Sequence, residues 1–137
     1  MDESLNLVLF SGTDDKLQAA AVLTAGAAAL GKPVNVFLQY WALDAFRKER
    51  ISRDHGLAAE AGPEGRAHVD HLRAAGQASW AETLRQAKDL GGVDIQACSL
   101  SMDLLAIAET DLDPLVDGVE GVTAFYLNAG AGQVVFI

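Results

Sequence analysis

Between Pro33 and Gln39, the residues Val34, Val36, Phe37 and Leu38 leave almost no polar face. A strand with one wet face alternates apolar and polar residues, whereas a near-continuous apolar strand suits a parallel sheet covered on both sides by helices. Leu5 to Phe10, Val93 to Cys98 and Gln133 to Ile137 also read as strands. Parallel neighbours need crossover connections, and the intervals between these runs carry helical signals. The chain therefore reads as βαβ units of an α/β fold. At least four strands are expected, with room for a further one. The five strand-like residues at the end predict a terminus pinned inside the sheet.

The helical signals come with punctuation. Ser11-Gly12-Thr13-Asp14-Asp15 breaks the first strand, and Asp14 or Asp15 is placed to cap a helix that begins near Lys16 and runs to about Leu30. Its alanine content lets it lie close to a sheet or another helix, and Gly31 ends it. Ser79 and Glu82 have capping-box spacing, and Trp80, Leu84, Ala87 and Leu90 recur at helical intervals, which makes Trp80 a packing residue. A short helix is expected from Met102 to about Ala108. The acidic connector 109–119 follows, with at most one helical turn. Residues 121–127 are rich in strand formers, but their closeness to the final strand predicts a helix crossing back over the sheet. Gly56, Gly62-Pro63, Gly65 and Gly76 weaken the pattern from Ser52 to Gly76, which reads as a mobile or locally helical excursion. Such a segment can serve as a lid or a subunit contact.

Composition narrows the function classes. The 137 residues carry 19 acids and 10 bases, a formal charge of -9. That disfavours nucleic acid, whose phosphates must be met by basic side chains; Arg47, Lys48, Arg50 and Arg53 form only a weak basic cluster. A single cysteine excludes an intrachain disulfide. The acidic, polar opening Met1-Asp2-Glu3-Ser4 does not read as a signal peptide. The apolar segment from Leu17 to Leu30 is too short and too alanine-rich to span a bilayer, so no integral membrane segment is expected. A reducing, cytoplasmic setting follows.

That single cysteine, Cys98, ends a strand where the chain turns into the next helix. The carboxyl edge of a parallel sheet is the usual ligand crevice of open α/β folds, and amides at a helix start favour an anionic sulfur. Ser99 and Ser101 add hydroxyls nearby. No histidine base stands beside Cys98 in sequence, and there is no second cysteine for a dithiol cycle. A lone accessible thiolate can still accept a sulfane sulfur, hold it as a persulfide and pass it on by thiolate attack on a sulfur–sulfur bond. The plain alternative is a buried cysteine that packs as a small hydrophobe.

Other candidates carry less. His68 and His71, with Asp70 between them, lack a third ligand of clear spacing, so no metal is expected. His55 is isolated. The Ser11–Asp15 turn could offer amides to an anion but has no phosphate-loop fingerprint. Gly130 and Gly132 precede a strand, the wrong order for a dinucleotide loop. Asp111, Asp113 and Asp117 lack the ordered pattern of a calcium loop. No cofactor is implied.

The run Cys98-Ser99-Leu100-Ser101-Met102-Asp103-Leu104-Leu105-Ala106-Ile107, leading into Leu115-Val116-Asp117-Gly118-Val119, resembles the DsrE/DsrF-like family of small sulfur-relay proteins, in the branch often described as peroxiredoxin-like. The likeness extends to Phe10-Ser11-Gly12 through Lys16, Gly31-Lys32-Pro33-Val34, Phe37 through Leu43 and Ser79 to Gly91, about three quarters of the chain. It departs at about 47–78, a variable excursion where relatives often carry a methionine-rich stretch, and at Ala106, where glycine is common. The second departure is expected to affect close packing more than sulfur chemistry.

The resemblance implies a single domain over 1–137, with a three-layer, flavodoxin-like α/β fold and a central, mostly parallel sheet of about five strands. It implies a homo-oligomer and makes Cys98 the sulfur-carrying residue. In this reading Ser99, Ser101 and Met102 surround the terminal sulfur, and Ser11, Gly12, Thr13, Tyr40 and Trp41 form the pocket wall. A rhodanese or a TusA-like carrier is the expected donor or acceptor. The function expected is sulfur relay, as a sulfurtransferase or a carrier. The alternatives are a non-catalytic oligomeric binding module with an inert Cys98, and a thiol-based peroxide sensor or reductase.

Overall fold

The computed structural model describes residues 3–137. Along the chain lie β1 (Leu5–Leu9), α1 (Asp14–Ala29), β2 (Val34–Leu38), α2 (Tyr40–Ala45), α3 (Gly62–Ala74), α4 (Trp80–Leu90), β3 (Val93–Cys98), α5 (Ser99–Leu105), β4 (Gly118–Glu120), α6 (Val122–Ala129) and β5 (Gln133–Phe136). Single turns of 3-10 helix occur at Ala59–Ala61 and Glu109–Asp111. The excursion expected between Ser52 and Gly76 is thus locally helical.

The sheet has the order β4-β3-β2-β1-β5, and each of its neighbouring pairs is parallel. From β1 to β4 the chain steps across the sheet in one direction. Right-handed crossovers place the intervening helices on one face. The last connection steps back past β1, so the same handedness sends α6 to the opposite face. The result is a three-layer α/β/α arrangement, the flavodoxin-like architecture. The return also corrects one expectation. β5 is an edge strand paired with β1 alone, and Phe136 on it is 67% exposed.

Strand parity divides the core. Leu7, Leu9, Val34, Val36, Leu38, Ile95 and Ala97 point to the first face and pack with Leu17, Ala20 and Ala21 of α1, Leu43 of α2 and Trp80 and Leu84 of α4. The small side chains of α1 admit α4 closely alongside it. The second face holds a separate and smaller cluster of Phe37, Cys98 and Phe125, with Val8 against it. Toward the amino edge of that face the sheet is polar. Asn6 is fully buried and donates through Nδ2 to Ser4 Oγ (2.9 Å) and to the Gln133 carbonyl (3.1 Å), while its Oδ1 accepts from Asn35 (2.8 Å). These bonds tie β5, β1 and β2 in one register.

Two helix starts fall earlier than the sequence suggests. α1 begins at Asp14, with Thr13 as the residue before it, so Asp14 and Asp15 lie in the first turn and do not cap it. Both carboxylates are taken by the loop at 54–58 instead. α5 begins at Ser99 and stops at Leu105, because Cys98 itself caps it and Ala106 turns left-handed at φ 53°. The expected consequence of alanine at 106 is on close packing; the structure instead puts it on the backbone, because a left-handed angle favours glycine. Ser79 caps α4 as expected, its hydroxyl accepting from the Glu82 amide at 3.2 Å.

Candidate functional site around Cys98

Register sets the surroundings of Cys98. It ends β3 on the second face and pairs with Glu120 of β4. Its Sγ accepts from the Ser101 amide at 3.5 Å in the first turn of α5. Phe37 and Phe125 stack beside it, with ring centroids 5.1 Å apart and planes 19° from parallel. Cys98 is 5% exposed. The expected open thiol at the sheet edge is therefore corrected. Parity turns the sulfur into the small second-face cluster, under the one helix that packs there among the described residues.

The other expected site residues divide. Ser99 is exposed; Ser101 is fully buried, its Oγ without a partner among the described residues; Met102 is buried in the first-face core. The backbone of α5 keeps them close in sequence, but only Ser101 meets the sulfur. Ser11, Gly12, Thr13, Tyr40 and Trp41 gather in a second group around Phe10. The Tyr40 ring lies 5.0 Å from Phe10 and 6.1 Å from Trp41, and Ser11 Oγ shares a hydrogen bond with Thr13 Oγ1 at 3.2 Å. A Cβ on Gly12 would collide with the Trp41 carbonyl, so glycine is required there. Tyr40 is held at φ 42°, a costly angle for a bulky residue. The apolar side chains packed with Cys98 come from β1, β2 and α6, and none comes from this group.

Glu120 was not anticipated. Its carboxyl is held above the usual glutamate range, first by burial and then by the charge of Asp94; a hydrogen bond from Asn128 opposes the shift. The acidic connector drew attention to Asp111, Asp113 and Asp117, but only strand register brings Glu120 beside Cys98. Asp113 and Asp117 instead face bases, Arg85 at 3.6 Å and Lys88 at 2.5 Å.

Two cavities open elsewhere. One of about 520 Å³ lies at the amino edge of the sheet, between Ser4, Asn35, Asp94 and the 128–132 turn. The other, of about 540 Å³, lies between α3 and the starts of α1 and α4. Neither is lined by Cys98 or by the group around Phe10. Asp14 stands at the second cavity and is buried, accepting from Trp80 Nε1 (2.9 Å), Arg73 (2.8 Å) and the His55 amide (2.9 Å). Trp80 packs as expected, and its polar end finds this carboxylate. The His55 ring lies tilted against Trp80, centroids 5.9 Å apart and planes at 54°, and its Nε2 is buried without a partner among the described residues. His68 and His71 are exposed on α3. The described residues contain no cluster of three or more His, Cys, Asp or Glu side chains suited to a metal, and none of their helices is long and apolar enough to cross a membrane.

Comparison with known proteins agrees with this architecture. The family model described as DsrE/DsrF/DrsH-like matches residues 1–64, a span that covers β1 through α2 and ends before Cys98. A Bacillus subtilis (strain 168) protein described as uncharacterized protein YrkE is 29% identical over 151 residues, covering 93% of this chain and 92% of that protein. Two solved structures share the fold. The ychN protein from E. coli has a TM-score of 0.56 at 13% identity, covering 98% of this chain and 99% of that one. The protein of unknown function MTH1491 from Methanobacterium thermoautotrophicum has a TM-score of 0.53 at 15% identity, covering 99% and 100%. The amino-terminal βαβ unit is thus similar to the DsrE/DsrF/DrsH-like family model, and the whole fold is shared with these two solved structures.

Proposed function

We propose that this protein relays sulfur, holding sulfane sulfur as a persulfide on Cys98. The observation that supports the reading most directly is the position of Cys98 at the carboxyl end of β3, its Sγ met by the Ser101 amide. In the loading step the Cys98 thiolate attacks the outer sulfur of a donor R–S–SH. The new bond joins the two sulfurs, the donor's sulfur–sulfur bond breaks, and the donor leaves as the thiolate R–S⁻. The outer sulfur keeps its hydrogen, and the reverse exchange with an acceptor thiolate unloads it. A rhodanese or a TusA-like carrier fits either role. Because Cys98 lies under Phe125, loading requires α6 to move aside. A reducing, cytoplasmic setting suits a persulfide carrier.

Self-association is part of the same reading. Val134, Phe136, Tyr126 and Leu127 are exposed on β5 and α6, the elements flanking the second face. A second copy laid there would cover them.

The burial of Cys98 between two aromatic rings favours the second reading, an oligomeric binding module whose cysteine only packs. Intact-mass measurement after incubation with a small persulfide donor separates the two. Relay expects a gain of one sulfur atom on the native protein and none on Cys98→Ser. A native protein that gains nothing, with Cys98 alkylated only on unfolding, establishes the packing role.

A further inference from the structure

We infer that the outer face of α1 is the surface on which two copies of this chain pair, helix against antiparallel helix. A helix laid on a sheet normally turns a polar face to water, and one that is apolar all round belongs in an interior. From Ala19 to Leu30, α1 turns no polar side chain to water; its one polar residue there, Thr24, is buried. The inner side packs through Leu17, Ala20, Ala21 and Ala28. The outer side shows Ala19, Val22, Leu23, Gly26, Ala29 and the C-cap Leu30, each of them exposed. Val22 is 57%, Leu23 45% and Leu30 69% exposed. No charged residue stands between Lys16 and Lys32.

The occupant follows from the pattern. The outer residues repeat every seven positions, Ala19-Val22-Leu23 and then Gly26-Ala29-Leu30, which is the spacing of a helix pair. Large and small side chains alternate so that an antiparallel copy completes them. About a two-fold axis between Thr24 and Ala25, Leu23 of each copy comes level with Gly26 of the other, and Leu30 with Ala19. Each knob meets a hole, and each contact occurs twice, as an isologous interface requires. Gly26 has no atom within 4 Å of the place its Cβ would take, so the hole stands open. Antiparallel packing also opposes the helix macrodipoles. Charge points the same way. Copies of a chain of net charge -9 repel one another where their acids meet, and this face brings no charge to the contact. A lipid surface with anionic headgroups would call for bases that this face lacks. The contact is small against the roughly 20–30 residues a side of a standard interface, so pairing is reversible and concentration-dependent. It lies across the sheet from α6 and does not depend on the chemistry of Cys98.

Gly26→Glu tests the pairing in the otherwise native chain. The position is exposed and glutamate is the better helix former, so the monomer keeps its fold. Sedimentation at rising concentration should show self-association at least tenfold weaker than in the native protein. The same loss is expected with Phe136→Asp present, because that change lies on another surface. Cysteine cross-linking on a Cys98→Ser background reads the geometry. Ala19→Cys and Leu30→Cys chains, mixed under mild oxidant, should form the 19–30 disulfide. Either variant alone should stay uncross-linked, since an antiparallel pair holds its two equivalent positions about 16 Å apart along the axis. Cross-linking of each variant with itself means parallel pairing and overturns the geometry. Self-association unchanged by Gly26→Glu overturns the site, and so does a native chain that stays monomeric as concentration rises. A monomeric chain that binds phosphatidylcholine vesicles, and loses them in Gly26→Glu, assigns the face to a membrane and overturns the pairing.

Discussion

The two faces of the sheet are built from alternate residues of the same strands, yet they differ in kind. The first is covered by α1, α2, α4 and α5 over a continuous apolar core. The second has α6, a three-residue buried cluster and a polar amino edge. The difference comes from topology. Three crossovers run one way and one runs back, so handedness assigns the faces unequal cover. Stability therefore resides on the first face, while the single cysteine lies on the second, covered by one helix and two rings.

Core truncation should give the largest contrast. Leu7→Ala removes a fully buried first-face side chain and should cost about 3 kcal/mol in urea unfolding. Phe125→Ala opens the thinner side. It should cost about 2 kcal/mol, below the usual range for a buried phenylalanine because α6 can settle inward. It should also raise the alkylation rate of Cys98 at least tenfold. Equal costs without faster alkylation would remove the distinction between the faces.

Left-handed Ala106 lies outside both cores and gives a control. Ala106→Gly should stabilise the fold by up to about 1 kcal/mol by relieving its backbone, with no change in Cys98 labelling. Phe136→Asp should leave monomer stability within about 0.5 kcal/mol but shift sedimentation toward the monomer if a second copy covers that face.

Glu120 yields the smallest effect and a distinctive pH signature. Its folded pKa is raised, so the folded state binds this proton more tightly than the unfolded chain does. Relative stability from this group is full below the ordinary glutamate pKa and is lost as pH rises through the folded value. Glu120→Gln should therefore stabilise the protein slightly at neutral pH and lose that advantage in acid. Asp54 has the opposite sign. The Gly56 amide holds its pKa down most strongly, burial opposes this, and Arg66 and Arg73 assist. The support it gives the segment around α3 is present above the ordinary aspartate pKa and fades as pH falls through the folded value. Protease sensitivity of that segment, followed across acid pH, checks it.

Much of this was readable from local pattern. The βαβ rhythm, the α4 cap at Ser79, the packing of Trp80, the crossing helix at 122–129 and the strand ending at Cys98 depend on nearest-neighbour chemistry. Those signals survive folding because tertiary contacts reinforce them. The fine limits of α1 and α5 were less legible. Asp14 and Asp15 resemble caps locally, but the 54–58 loop, some forty residues away, claims their oxygens. Cys98 looked accessible because edge position was visible and the cover above it was not. Glu120 could not be paired with Cys98 without the register of a three-residue strand.

The sequence by itself determined the alternation of strands and helices, the parallel sheet and the end of β3 at its one cysteine, because apolar period and turn chemistry are local properties. Only the tertiary structure decided that the last crossover runs back across the opposite face, that Cys98 lies beneath Phe125 and beside Glu120, and that α3 stands on ionic struts over an unfilled space. Those outcomes depend on which distant segments meet, and chain connectivity fixes that through handedness and register, neither of which any short window of residues contains.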